Sequence, residues 1–328
     1  MTKLYPMLFK PLFKDYLWGG RNLAAFGRDL PEEGIVAESW EIASHEDGMS
    51  LIKNGRYAGQ TLQAVFELLG EDLVGSNNRW ALKRNKFPLM VKLLDAQKRL
   101  SVQVHPNDAY ARENEGNELG KTEMWVVLQA EPDAAIIYGM ARKVNPTALR
   151  EAIMAGTLEP LLNKILIKTG DHICVPSGTL HAILEGAVLV EIQQNSNTTY
   201  RVFDWNRKDS EGKSRALHID KALDVIDYEK TGCQLTPPMP LEKNNLWIRE
   251  RLCQNKYFTT DRYTLEKGAE LSGTCDGSTL EIWGLLSGEA DIAGIGLDPV
   301  RFVLLPARMG GYRVLASTDA VLLHTYVA

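Results

Sequence analysis

The chain has 328 residues, of which 45% are apolar and 24% charged, and these proportions are typical of a globular protein rather than a disordered one. Its 37 basic and 42 acidic residues give a formal net charge of −5, which disfavours nucleic-acid binding as its function. The sequence has no apolar run of about 20 residues, as a membrane span requires, and Met1 to Pro6 lacks the apolar core of a secretory signal. We therefore expect a cytoplasmic protein of about two domains, with its four cysteines present as reduced thiols.

Short segments rich in aliphatic and aromatic residues recur between turn residues along most of the chain, which is typical of a β sandwich or barrel. The predicted strands lie at 87–94, 100–104, 124–128, 134–138, 187–193, 199–205, 280–286, 302–305, 312–315 and 320–327. Helical patterns interrupt them at 61–69, 107–115, 145–155 and 220–228. Thr61 and Asn107 are suitable N-caps, and Pro146 suits a first helical turn.

A proline-rich segment divides the chain. Thr236 to Pro240 contains three prolines in five residues. Because proline cannot donate a hydrogen bond to a sheet, this segment is predicted to be a linker. We predict a larger domain, residues 1–235, before it and a smaller β domain, residues 241–328, after it.

The first candidate for a functional element is the segment 101–106. Residues two apart in a strand point to the same face, so Gln103 and His105 project together, opposite their valine neighbours. An exposed strand with one polar face shows the same alternation, so this segment alone does not select a function.

A second pattern places a histidine directly after a tight turn. Pro176 and Gly178 bracket the turn and deliver His181 at the start of the next strand. This spacing resembles the second motif of the cupin superfamily, small β-barrels that hold a metal inside. The chain departs from that motif at Glu185, where the family often has asparagine. Its first cupin motif is also altered, because Gln103 stands where a histidine is usual.

A carboxylate that can join these imidazoles lies in the strand segment that begins near Lys121. Lys121 and Glu123 are two residues apart and therefore share one face. Glu123, His105 and His181, with the neutral oxygen of Gln103, make a mixed nitrogen and oxygen donor set. Such a set suits zinc in a catalytic site, and iron or manganese also fits it.

Residues 191–205 form two predicted strands around a turn of asparagine and serine. Glu191 follows His181 by ten residues, and Arg201 follows Glu191 by ten. If the strands form a tight hairpin, Glu191 and Arg201 face one pocket. Without the other motifs, a surface pair near a hairpin is the simpler interpretation.

Taken in order, these motifs resemble the type I phosphomannose (mannose-6-phosphate) isomerases in their short bacterial form. The resembling blocks are 16–20, 38–42, 100–106, 120–125, 175–183 and 191–205, whereas the C-terminal third carries no comparable motif. The resemblance implies a mainly β fold of two cupin-like (jelly-roll) β-barrels, with a few short helices inserted in the first. The second barrel has no histidine soon after Pro306 and Gly310, and we expect it to be structural and to bind no metal.

The resemblance also implies roles for single residues. The implied ligands of one Zn²⁺ ion per chain are Gln103, His105, Glu123 and His181. The implied catalytic residues are Arg201, Glu191 and Lys121. The implied substrate-binding residues are Ser101, Lys121, Trp18 and Arg201.

The implied reaction is the interconversion of mannose 6-phosphate and fructose 6-phosphate through an enediol(ate) intermediate, which a metal and Arg201 would stabilise. A base must lie within hydrogen-bond reach of the shuttled proton. Glu191 is the first candidate, and a metal-bound water or a histidine is an open alternative. The substrate phosphate needs a cation or backbone amides, and both Lys121 and Arg201 are candidates.

The implied partner is a small-molecule sugar phosphate, with no nucleic acid and no membrane, and we expect a monomer or a weak homodimer. Two other functions stay open from the sequence. One is a related sugar-phosphate isomerase with a different substrate, and the other is a non-catalytic sugar-binding cupin. Lys121, Glu191 and Arg201 favour an enzyme, because a binding protein has no need of a base beside a metal.

Overall fold

A computed structural model describes residues 3–208 and 211–327, and strands form most of its regular structure. The strands are, in chain order, β1 Phe9–Lys10, β2 Leu12–Lys14, β3 Glu38–Ile42, β4 Ser44–His45, β5 Gly48–Met49, β6 Leu51–Ile52, β7 Leu89–Ala96, β8 Val102–Val104, β9 Glu123–Ala130, β10 Ala135–Met140, β11 Leu162–Leu166, β12 His172–Val175, β13 His181–Ile183, β14 Ala187–Gln194, β15 Tyr200–Phe203, β16 Met239–Lys243, β17 Trp247–Gln254, β18 Thr259–Leu265, β19 Glu270–Cys275, β20 Glu281–Ser287, β21 Ala290–Ile292, β22 Ile295–Leu297, β23 Arg301–Leu305, β24 Gly310–Ala316 and β25 Ala320–Tyr326. Every predicted strand has a counterpart here, and the prediction of a mainly β fold is confirmed.

The helices are short and lie between the strands of the first 225 residues. They are α1 Leu62–Leu69, α2 Glu71–Val74, α3 Arg79–Arg84, α4 Asp108–Asn114, α5 Pro146–Met154 and α6 Ile219–Val225, with 3-10 turns at Asn22–Phe26, Gly55–Tyr57, Ser76–Asn78 and Glu159–Leu161. The four predicted helices are confirmed as α1, α4, α5 and α6, and side chains of Thr61, Asn107 and Asn145 cap the first three. The sequence did not predict α2 and α3, which are too short to show a helical period. Within the described residues, no helix combines the length and the apolar character needed to cross a membrane.

Two antiparallel sheets built from β2 to β15 face each other. Within residues 3–208, five strands form one sheet in the order β11-β10-β13-β8-β15, and six form the other in the order β12-β9-β14-β7-β3-β2. Ile136 and Ile183 of the first sheet and Trp125 and Leu189 of the second share one buried apolar cluster. This cluster fills one part of the space between the sheets, and polar side chains line another part.

The predicted hairpin over 191–205 is wrong. β14 pairs with β7 and β9 in the six-stranded sheet, whereas β15 pairs with β8 in the five-stranded sheet. The turn between them therefore carries the chain from one sheet to the other. Glu191 and Arg201 consequently face each other across the space between the sheets, rather than lying side by side on one sheet.

The strands after residue 238 form a second pair of sheets. In the part described up to residue 327, their orders are β16-β17-β18-β25-β20-β23 and β19-β24-β21-β22. The predicted linker is wrong at its end, because Met239 and Pro240 belong to β16. Proline is tolerated there because β16 is an edge strand, and its pairing with β17 is irregular directly after Pro240.

The two sheet pairs share a hydrophobic cluster. Val190 on the outer face of β14 and Phe66 of α1 belong to the same cluster as Phe258 and Leu304 of the C-terminal strands. The backbone of Met7 also bridges to Leu304, so the N-terminal segment packs on the C-terminal sheet. The division into domains 1–235 and 241–328 stays a prediction, and its terminal residues 1 and 328 lie outside the described residues.

A disulfide joins the two sheet pairs. Cys174 of β12 and Cys253 of β17 are bonded, with Cα atoms 5.9 Å apart, whereas Cys233 and Cys275 are free. The expectation of four reduced thiols is therefore wrong for this pair. Sequence spacing could not show the pairing, because 79 residues separate the two cysteines.

A buried carboxylate organises the interior of the C-terminal sheets. Glu281 accepts hydrogen bonds from the Tyr312 hydroxyl at 2.5 Å, the His324 Nε2 at 2.6 Å and the Trp283 Nε1 at 3.3 Å. Burial raises the pKa of Glu281, but His324 and these other donors outweigh it and leave the pKa below its ordinary value. The absence of a metal from these sheets stays a prediction.

Glu281→Gln is expected to lower the free energy of unfolding by about 2 kcal/mol at pH 7, because the ionised carboxylate accepts several charge-assisted hydrogen bonds. Its depressed pKa means that this stabilisation is present above the unfolded-state pKa of about 4.3 and is lost as the pH falls through the lower folded-state value. Urea unfolding at pH 7 and in acid measures the difference. Glu289→Gln, at an exposed position in the turn between β20 and β21, is the control. A Glu281→Gln effect no larger than that of Glu289→Gln would contradict the prediction.

Candidate metal centre and active site

The register of the five-stranded sheet aligns three of the predicted site residues in one row. His181 on β13 lies opposite Gln103 on β8, and Gln103 lies opposite Arg201 on β15. Residues in such a row point to the same face of the sheet. Val102 and Val104 pack into an apolar cluster on the opposite face, as the alternation predicts.

The second sheet supplies a carboxylate to the same place. The nitrogen atoms of His105 and His181 and a carboxylate oxygen of Glu123 all lie within 4.8 Å of one another, and all three side chains are buried. The Nε2 atoms of His105 and His181 lie 3.5 and 3.4 Å from the two Glu123 carboxylate oxygens. Glu123 begins β9 of the six-stranded sheet, so the cluster joins the two sheets.

Backbone carbonyls orient both imidazoles. The Nδ1 atom of His105 lies 2.8 Å from the carbonyl oxygen of Thr198, and that of His181 lies 2.8 Å from the carbonyl oxygen of Thr179. A carbonyl only accepts hydrogen bonds, so each Nδ1 must carry the proton and each Nε2 must present its lone pair to the cluster. Metal-bound histidines are commonly held in this way.

Both imidazoles are neutral at physiological pH. Burial, together with the charge of Lys121, lowers the pKa of His105 well below its ordinary value. Burial also lowers the pKa of His181, to about 4. Neutral imidazole is the form that binds a metal ion, so neither histidine has to lose a proton to bind one.

One carboxylate oxygen of Glu123 can bind a cation, because no hydrogen bond of the described residues uses it. Among the described residues, its buried Oε1 atom has no hydrogen-bond donor. Burial raises the pKa of Glu123 to about 8, against the opposing charge of Lys121. The Lys121 ammonium contacts the other Glu123 oxygen and lies 3.2 Å from the His105 Nε2. An ammonium thus lies against two of the donor groups, which shows that the cluster attracts positive charge.

Gln103 borders this cluster. Its side-chain amide nitrogen lies 3.4 Å from the His181 Nε2, and its amide oxygen accepts a hydrogen bond from Ser101 at 3.3 Å. The structure therefore brings Gln103, His105, Glu123 and His181 together. A donor set of two neutral imidazoles, one carboxylate and one amide fits a divalent metal ion.

Glu191 is a second buried carboxylate beside the cluster. The Trp125 Nε1 donates to it at 3.1 Å, and the Lys121 and Lys92 ammonium groups lie 3.6 and 3.8 Å from it. Burial raises the pKa of Glu191, but the two lysines and Trp125 outweigh it and leave the pKa below its ordinary value. Burial lowers the pKa of Lys121, but Glu123 and Glu191 outweigh that effect and raise it. Glu191 and Lys121 are therefore an ionised pair.

A cavity of about 240 Å³ opens onto these groups. Its lining contains all the predicted catalytic and substrate-binding residues, namely Trp18, Ser101, Lys121, Glu191 and Arg201, together with Gln103. The mixed charge and small volume suit a small polar molecule. Larger cavities elsewhere, such as one of about 460 Å³ near Phe9 and Arg301, lie away from the cluster.

Three charged residues of the cavity wall were not predicted. They are Glu38, Lys92 and Arg215. Lys92 lies on β7, where a single lysine inside an apolar run was the available signal, and its ammonium lies 3.2 Å from a Glu38 carboxylate oxygen. Arg215 follows β15 in an irregular segment, and nothing in the local sequence indicated where it lies.

His45 pairs with a carboxylate from a distant part of the chain. Its Nε2 lies 3.1 Å from a carboxylate oxygen of Glu118, which also lies 3.4 Å from the Lys86 ammonium. Glu118 precedes Lys121 by three residues, so the pair anchors the segment that leads to β9. Local patterns could not indicate this contact, because 73 positions in the chain separate the two residues.

The two facing sheets and the buried histidine–glutamate cluster define a cupin-like β protein with a candidate metal centre. The family model of the type I phosphomannose isomerase catalytic domain matches residues 7–135. The mannose-6-phosphate isomerase ManA of Bacillus subtilis is 36% identical over 327 residues, which cover 97% of this chain and 98% of the relative. A mannose-6-phosphate isomerase of Streptococcus mutans is 38% identical over 314 residues, 95% of this chain and 93% of the relative.

A solved structure agrees with this assignment. The mannose 6-phosphate isomerase of Bacillus subtilis superposes with a TM-score of 0.86 at 33% identity, over 98% of this chain and 99% of that one. The chain belongs to the type I phosphomannose isomerase family, and it is an isomerase. The resemblance predicted from the sequence motifs is confirmed.

Proposed function

We propose that this chain interconverts mannose 6-phosphate and fructose 6-phosphate through an enediol(ate) intermediate. One observation carries the proposal. The ionised carboxylate of Glu191 is held between Lys121 and Lys92, directly beside the His105–Glu123–His181 cluster and open to a small polar cavity. An aldose–ketose isomerase needs such a base next to an electrophilic centre. A binding protein has no use for a buried, ionised carboxylate at this place.

We further propose that Gln103, His105, Glu123 and His181 hold one Zn²⁺ ion per chain. The fixed Nε2 lone pairs and the unpartnered Glu123 oxygen support this donor set. When bound, the metal supplies a Lewis acid for the oxygens at C1 and C2 of the sugar.

The protein side chains then divide the remaining work. Glu191 takes the proton from one of the two reacting carbons and returns it to the other. Lys121, 3.6 Å from Glu191, keeps that carboxylate ionised and adds positive charge beside the developing enediolate. Arg201 lines the same cavity and binds the substrate, while Ser101 and Trp18 orient the sugar.

The proposal names a free sugar phosphate as the partner, without nucleic acid or membrane. A net charge of −5 does not favour an anionic polymer, whereas the lysine and arginine side chains of the cavity suit a small anion. We also propose that the enzyme acts in the cytoplasm as a monomer or a weak homodimer. Light scattering across a concentration series measures that assembly state.

Removing the metal tests this function. We expect the purified protein to interconvert the two sugar phosphates, to lose this activity after dialysis against a chelator, and to regain it with stoichiometric zinc. Circular dichroism before and after chelation controls for unfolding, and parallel addition of iron(II) and manganese(II) identifies which metal supports turnover best.

Two results would count against the proposal. A folded, zinc-loaded protein that converts neither sugar phosphate would exclude this substrate pair and direct attention to other sugar phosphates. Activity that survives complete removal of metal, shown by elemental analysis, would exclude the proposed role of the cluster.

A further inference from the structure

The outer part of the cavity carries a guanidinium that no carboxylate of the described residues contacts. The Arg201 guanidinium bonds only to neutral oxygens, those of Ser101 at 3.2 Å and of the Ala216 carbonyl at 3.1 Å, and no carboxylate of the described residues lies within 4 Å of it. By contrast, Lys92 and Lys121 each contact carboxylates. A half-buried guanidinium that no described carboxylate contacts directly is suited to an anionic ligand.

Arg215 adds a second guanidinium to the same wall. A bidentate pair with Asp204 holds it, with nitrogen–oxygen distances of 2.7 and 2.6 Å. Asp204 also accepts a hydrogen bond from Arg207. One carboxylate is thus shared by two arginines, so Asp204 alone does not balance the charges of the two guanidinium groups that it contacts. Burial, and next the charge of Arg215, lower the pKa of Arg201 against the opposing charge of Asp204, so the two guanidinium groups lie within electrostatic reach of each other.

The direction from the cluster to these arginines matches the shape of the substrate. His181, Gln103 and Arg201 lie on successive strands of one row, so the backbone of Arg201 is two strand spacings, about 10 Å, from that of His181. A hexose 6-phosphate carries its phosphate at the end of the carbon chain opposite to C1 and C2. With C1 and C2 at the His105–Glu123–His181 cluster, the phosphate lies on the side of the cavity that Arg201 and Arg215 line.

We propose that Arg201 and Arg215 together bind the substrate phosphate, with Asp204 holding Arg215 in position; this inference rests on the function proposed above. Two guanidinium groups offer the planar N–H pairs that match phosphate oxygens. The assignment leaves Lys121, buried and paired with Glu191, for the reacting end of the sugar. Arg215 is then a residue that sets specificity for phosphorylated substrates.

Arg215→Ala and Arg207→Ala form a matched pair of variants. Both remove an arginine that pairs with Asp204, but only Arg215 lines the cavity. We expect Arg215→Ala to raise KM for fructose 6-phosphate by about tenfold or more, the effect of losing a charge-assisted hydrogen bond. Arg207→Ala is expected to keep KM within about twofold of the wild-type value. Equal changes of KM in the two variants would overturn the proposal, since both would then act through Asp204.

Titration with inorganic phosphate separates this proposal from the proposed reaction. Calorimetry on the zinc-loaded proteins is expected to show phosphate binding that Arg215→Ala weakens about tenfold and Arg207→Ala does not. Arg215→Lys, which keeps the charge, is expected to lie between wild type and Arg215→Ala. This pattern in a protein without isomerase activity would support the anion site and refute the reaction. Phosphate affinity that Arg215→Ala leaves unchanged would overturn the anion site, whatever the activity.

Discussion

Replacing His181 with alanine is expected to abolish metal binding and isomerase activity together. His181 presents the Nε2 lone pair that its Nδ1 contact with the Thr179 carbonyl fixes in direction. Loss of a residue that only orients a metal ligand costs about 10- to 100-fold in affinity or activity, and loss of the ligand itself is expected to exceed that. Zinc content by elemental analysis and turnover of mannose 6-phosphate measure the two effects on the same sample.

His172→Ala is the matched control for this experiment. His172 is also buried, on β12 nine residues earlier, and its Nε2 has no hydrogen-bond partner among the described residues. It lies outside the donor cluster, so its alanine variant is expected to keep one zinc ion per folded chain and to stay active. If His181→Ala retained stoichiometric zinc, or if both variants lost it alike, His181 would not be a ligand.

Glu191→Gln is expected to lower kcat by about 10² to 10⁴, the usual contribution of a general base, while zinc stays bound. The amide has the shape of the carboxylate and can still accept the Trp125 hydrogen bond, but it cannot accept the substrate proton. Steady-state kinetics with zinc analysis checks both parts of this expectation.

Glu185→Gln provides the control for Glu191→Gln. Glu185 lies exposed between β13 and β14, in the same part of the chain but outside the cavity. We expect it to leave kcat unchanged. A zinc-loaded Glu191→Gln enzyme with near-normal kcat would transfer the role of base to a histidine or a metal-bound water, the alternatives that the sequence left open.

Local patterns in the sequence were sufficient to predict His181 and the pair Gln103 and His105. A proline and a glycine fix the turn before His181, and strand alternation fixes the face on which Gln103 and His105 lie. These are properties of a few neighbouring residues, and the structure retains them. Local patterns alone could not predict that Glu123 lies beside the two histidines. Glu123 belongs to the second sheet, and only the family resemblance indicated that this sheet packs against the first at that position.

Contacts between distant segments explain what the sequence did not predict. Lys92 and Glu38 meet on adjacent strands of one sheet but lie 54 positions apart in the chain. The short turn after β14 resembles that of a hairpin, yet β14 and β15 belong to different sheets, each of which packs its own apolar side chains. Arg215 lies in an irregular segment, where no period constrains the position of a side chain.

The candidate metal donors come from two different sheets, and this affects when a newly made chain can bind its ion. Gln103, His105 and Glu123 leave the ribosome long before His181, and Glu123 reaches the imidazoles only once β14 has joined β9 to the remainder of its sheet. A nascent chain therefore offers no complete chelating site while its barrel is open. We therefore expect metal capture to follow folding, and the identity of the captured ion to depend on which divalent metals the surrounding pool supplies when the barrel closes.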